Sequence, residues 1–144
     1  MPGPDPDHWL HRFTPREWLR AAMGELESAR AAYARHNGRA GLAGCRRAAG
    51  VALNGLLAAT PDHDPAWGRT YMDHLAFLAG DASAPEAVRA AATLLRATPL
   101  PGGEVVALRT AKTDANLLDA AETVMAHAYA EVVRREPQMS KSGE

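Results

Sequence analysis

The sequence predicts an all-α protein, an up-and-down antiparallel bundle of about five helices. Two observations carry this. Strand-like alternation of apolar and polar residues is almost absent. Alanine-rich segments instead repeat their apolar residues at helical spacing, bracketed by recognisable start and stop residues.

The first helix opens at Thr14-Pro15-Arg16-Glu17, where a threonine cap, a proline that loses no useful donor and a glutamate three residues on make a capping box. Trp18, Leu19, Ala22, Met23, Leu26, Ala29 and Tyr33 continue one face, and Asn37-Gly38 is read as a left-handed stop. The second helix spans about 40–59. Gly41, Gly44, Gly50 and Gly55 interrupt it, each at a cost of about 1 kcal/mol relative to alanine. Another backbone must therefore approach closely, either inside the bundle or across a dimer interface.

The third helix is expected near Trp67 to Leu78, the fourth after a Ser83 cap boxed by Glu86, and the fifth from Thr113 or Asp114, with Leu117, Ala121, Val124, Ala128 and Val132 as its buried stripe. Val105, Val106 and Leu108 suggest a short extended or helical piece before it. The organisation is thus a loose arm over 1–13, a bundle over 14–135 and a disordered polar tail over 136–144.

The chain has 144 residues and a mass of 15.3 kDa, enough for one domain with its own core. Sixteen basic and 17 acidic residues leave a net charge of -1, so no broad field marks a nucleic-acid or membrane binder. Cys45 is the single cysteine, and the N-terminus lacks a signal-peptide layout. Nothing approaches a membrane span of about 18 apolar residues. A cytoplasmic protein is expected.

Three stretches carry a family resemblance: Trp18-Leu19-Arg20-Ala21-Ala22 followed by Glu25-Leu26-Glu27-Ser28-Ala29; Cys45 to Leu57; and Asp73-His74-Leu75-Ala76-Phe77-Leu78. In this order they resemble the HEPN domain family over roughly 16–134, with Ala120 to Met125 similar to its closing helix. The chain has Gly50 where the family usually carries glutamate and Asn54 where it carries lysine; its histidine–aspartate pair is reversed as Asp73-His74, and the arginine-tyrosine-proline step before the last helix is missing. The resemblance implies a homodimeric, non-catalytic binding or assembly module with no cofactor, paired with a nucleotidyltransferase encoded nearby, as in toxin–antitoxin pairs.

The ribonuclease members of that family use an arginine followed four to six residues later by a histidine. Such a pair can move the 2′-hydroxyl proton and stabilise the phosphate in the transition state. Arg69 and His74 fit the spacing and are the candidate catalytic pair; Arg30 and His36 fit it too, and an unrelated surface histidine is the plainer account. Arg46, Arg47 and Asn54 are the candidate binding set for a nucleotide or small anion, with Arg30 and Arg39 nearby. The plainer account of the arginines is a solvated edge paired with Glu25, Glu27 or Asp62. Asp62-His63-Asp64, His8 with His11, and Asp73-His74 lack the converging spacing of a metal site, so no metal is expected. Cys45 reads as a small buried hydrophobe.

Overall fold

The computed structural model describes residues 8–99 and 111–142, whose regular elements are all helices, with no strand among them. Five α-helices pack together: α1 (Pro15–Ala34), α2 (Gly38–Ala58), α3 (Tyr71–Ala79), α4 (Glu86–Ala97) and α5 (Ala111–Ser142). Val105, Val106 and Leu108 lie outside the described residues.

The capping box forms as the sequence requires. Thr14 Oγ1 accepts from the Glu17 backbone N–H at 3.1 Å, and Glu17 Oε1 accepts from the Thr14 N–H at 3.0 Å. Residues 8–12 depart from the expected loose arm. His8–Arg12 is a 3-10 turn, Leu10 is fully buried, and the Trp18 indole N–H donates to the Leu10 carbonyl at 2.8 Å. Trp9 and Phe13 meet Trp18 edge-on, at 6.3 and 4.8 Å between ring centroids. Between α1 and α2, His36 takes the positive φ of 61° and Asn37 caps α2 by accepting from the Ala40 N–H. Asn37-Gly38 therefore starts a helix where a stop was expected.

Helix α2 is the axis of the bundle. Sixteen of its 21 residues are buried, including every one from Ala48 to Ala58. Its glycines serve packing within the chain. A Cβ on Gly44 would stand 2.9 Å from the Ala29 Cβ, and one on Gly55 2.9 Å from the Pro15 carbonyl oxygen. Only hydrogen fits where α1 crosses that closely. These glycines are thus accounted for by contacts inside one chain.

The expected third helix is two pieces. Pro65–Trp67 is a 3-10 turn capped by Asp64, Gly68 breaks the chain at φ 71°, and α3 begins after a second capping box between Thr70 and Asp73. Ser83 does not cap α4. Its hydroxyl donates to Asp81 at 2.6 Å, and Pro85 holds the cap position without a side-chain bond. Val88, Ala91, Ala92 and Leu95 bury one side of α4, while Leu94 faces solvent. On α5 the expected stripe from Leu117 to Val132 is buried, but the helix continues to Ser142, through the segment read as a tail. Arg16 holds Glu136 there by two parallel bonds of 2.7 and 2.8 Å.

Cys45 is fully buried, and desolvation pushes its thiol up to about 11 despite a hydrogen bond to Tyr33 that favours the thiolate. It is expected to resist iodoacetamide at about pH 8 in the folded protein and to react within minutes in denaturant. Mass spectrometry of the two samples checks this; equal labelling would show the thiol exposed.

Candidate functional site

The sequence candidates are placed first. His74, in the opening turn of α3, is fully buried, and Asn54, from the last third of α2, is nearly so. The His74 Nδ1 lies 2.8 Å from the Trp67 carbonyl oxygen, and its Nε2 lies 2.8 Å from the Asn54 amide Oδ1. Burial is the main influence on the ring and lowers its pKa from the ordinary 6.5. A neutral imidazole has one donor and one acceptor. Nδ1–H donates to the carbonyl, so Nε2 accepts, and the Asn54 amide satisfies it when turned to offer its NH₂. This triad ties α3 and the 3-10 turn to α2.

Arg69 is exposed, just before the Thr70 cap, and its backbone N–H points to Asp73. Arg69 and His74 therefore share no cleft. With both ring nitrogens engaged in the core, His74 cannot reach a 2′-hydroxyl, and Asp73 is committed to the capping box.

Arg46 and Arg47 diverge. Arg46 Nε donates to the Leu95 carbonyl at 2.8 Å, and its Nη2 reaches the Arg96 and Thr98 carbonyls, closing the C-terminal end of α4, where a cation suits the helix dipole. Arg47 pairs with Glu25 at 2.7 Å. Arg30 pairs with Glu27 and Glu122. None of these joins Asn54 in a common site, so the anion-binding set anticipated from the sequence does not assemble. Gly50 and Asn54, two of the departures noted in the sequence, are internal: the Tyr71 ring lies against Gly50, and Asn54 holds His74.

Two other surfaces have the character of sites. The first is the face where α1 and α5 run antiparallel over α2. Arg16 pairs with Glu136 at one end and Arg30 with Glu122 at the other. Midway stand Met23, 63% exposed, and Tyr129, 49% exposed, seven residues from the charged pairs in each direction. Between them runs an apolar furrow of about 260 Å³, lined also by Leu19, Ala52, Met125 and Ala126. The Arg16 guanidinium lies 5.4 Å from the centre of the Tyr129 ring.

The second is a cavity of about 480 Å³ between α5 and the connections that follow α2 and α3. Its apolar lining is Leu56, Leu57, Trp67 and Phe77, the last two rings 4.2 Å apart and tilted by 31°. One wall is α5, where His127, Glu131, Arg134 and Arg135 share a helix face. His63, Asp81 and Ser83 stand among the remaining lining residues. His63 Nδ1 donates to the Thr60 carbonyl at 2.8 Å. Burial lowers the His127 pKa against the pull of Glu131 and Asp81. Burial raises Glu131, but hydrogen bonds from Arg135 and Arg134 outweigh it and hold the carboxylate ionised. Sequence reading missed this cavity, although the i, i+4, i+7, i+8 spacing on α5 was a visible signal.

Among the described residues no group of three or more histidine, cysteine or acidic side chains could hold a metal ion, and no helix is long and apolar enough to cross a membrane. No protein-family model, curated protein or solved structure matches this chain.

Proposed function

We propose that the chain is a non-catalytic binding and assembly module that pairs with a second copy of itself through the α1–α5 face. The observation that carries this is the layout of that face. Met23 and Tyr129, large and apolar, sit exposed at the midpoint between two Arg–Glu pairs. A two-fold axis parallel to the helices would lay α1 of one copy over α5 of the other. Each arginine then meets a second glutamate, and each Met23 meets a Tyr129, so the face complements itself. Antiparallel placement of α1 on α1 would set Arg16 near Arg30 and is disfavoured by charge.

The HEPN resemblance supports the same reading, since it implies a homodimer. It also implies a nucleotidyltransferase partner, which would compete for an exposed apolar face of this kind. A ribonuclease working through Arg69 and His74 is not proposed, because the histidine is enclosed in the core.

Light scattering at micromolar concentration is expected to give twice the 15.3 kDa chain mass. Met23→Glu should return the mass to that of one chain with an unchanged circular dichroism spectrum. A monomeric parent protein would overturn the self-pairing and leave the face to a different protein.

A further inference from the structure

On the opposite side of α5 from the proposed pairing face lies the second cavity, as the helical rotation of about 100° per residue from Tyr129 to Glu131 and Arg135 requires. We propose that this cavity binds a small aromatic monocarboxylate, its carboxylate held by Arg134 and Arg135 and its ring laid against Trp67 and Phe77. This goes beyond self-pairing and does not depend on it.

The volume of about 480 Å³ is in the range of small-molecule sites, and the lining has their composition, an apolar base with a few converging polar groups. Glu131 shows what the arginines are arranged to hold. Its Oε2 accepts from Arg134 Nη2 at 2.6 Å and also from Arg135 Nη1. One carboxylate cannot use the ten N–H donors of two guanidinium groups, and both arginines line the cavity, so a second oxyanion there has donors within its walls. Part-buried Arg135 marks the inner end of this donor pair and exposed Arg134 the rim.

The ligand's charge is limited by the same wall. Glu131 and Asp81 both line the cavity and offset the two arginines, so the wall has no surplus positive charge for a polyphosphate, whereas a single carboxylate asks for only a few guanidinium donors. The body of the ligand is set by Trp67 and Phe77, whose tilted rings offer an aromatic surface. Asp81 and Ser83, in the turn between α3 and α4, suit a ring hydroxyl.

Titration calorimetry with 4-hydroxybenzoate tests the proposal, with 4-hydroxybenzamide as the neutral isostere and adenosine monophosphate as the more highly charged competitor. We expect 4-hydroxybenzoate to bind and the amide to bind about tenfold more weakly or not at all. Arg135→Gln and the more exposed Arg134→Gln should each weaken 4-hydroxybenzoate by about tenfold, while Glu131→Gln, which releases both guanidinium groups, should strengthen it severalfold. Thermal melts confirm that each variant is folded; since Arg134 is largely exposed, its variant keeps the test informative if Arg135→Gln unfolds. No binding of 4-hydroxybenzoate at millimolar concentration would overturn the site. Equal binding of the amide, tighter binding of the nucleotide, or indifference to Arg134→Gln in the folded protein would each overturn the carboxylate assignment.

Discussion

His74→Ala is expected to lower the unfolding free energy by about 3 kcal/mol, read from the urea midpoint at unchanged m-value. The substitution empties a fully buried site and strands two polar groups, the Asn54 amide and the Trp67 carbonyl, in an apolar surround. Any RNA-degrading activity of the preparation is expected to stay unchanged in the variant, and its loss from a still-folded protein would restore a chemical role for the ring. The parent protein should also show a pH signature. Burial holds the folded-state pKa of His74 below the ordinary 6.5, so the unfolded chain takes up the proton first. Stability is at its full value above about 6.5 and declines as the pH falls below it. His127 is shifted in the same direction, so His74→Leu should reduce this decline without abolishing it.

Gly44→Val is expected to cost about 2–3 kcal/mol and lower the Tm by roughly 10 °C in a thermal melt followed by circular dichroism. The new Cβ would sit 2.9 Å from the Ala29 Cβ and 3.1 Å from its Cα. Backbone cannot step aside as a flexible side chain would, so α1 and α2 must separate. Gly24→Ala is the counter-experiment. Nothing lies within 4 Å of its Cβ position on the outer face of α1, and alanine should raise stability by about 1 kcal/mol through helix propensity alone. A destabilised Gly24→Ala together with a neutral Gly44→Val would reverse the account of why these glycines are present.

Features determined within one turn of helix were legible in the sequence. The Thr14 box and the α5 stripe depend on neighbours three or four residues away, and both form where expected. Ser83 is not the cap because α4 begins only at Glu86 with Pro85 in the cap position, while Asp81 accepts from both the Ser83 N–H and its hydroxyl in the preceding turn. The third helix starts late because Gly68 adopts a positive φ, at a place where a Cβ would stand 2.5 Å from the Asp73 Cβ. The end of α5 looked like a tail because its residues are polar, and the ion pair that anchors it bridges 120 residues of sequence. The burial of His74 was equally hidden. The neighbours that enclose it come from α2 and the 3-10 turn, and no local pattern distinguishes a core histidine from a surface one. The 480 Å³ cavity has the same origin, since its walls are drawn from segments far apart in the chain.

The slenderness of α2 has an effect at the surface. Ala52, fully buried, forms the bed of the furrow between α1 and α5. With so small a residue there, the two outer helices close over α2 far enough for Arg16 to clasp Glu136 and Arg30 to clasp Glu122. A leucine at that position would act as a wedge, prising the pair apart and unfastening both clasps at once, although none of the four charged residues had been touched.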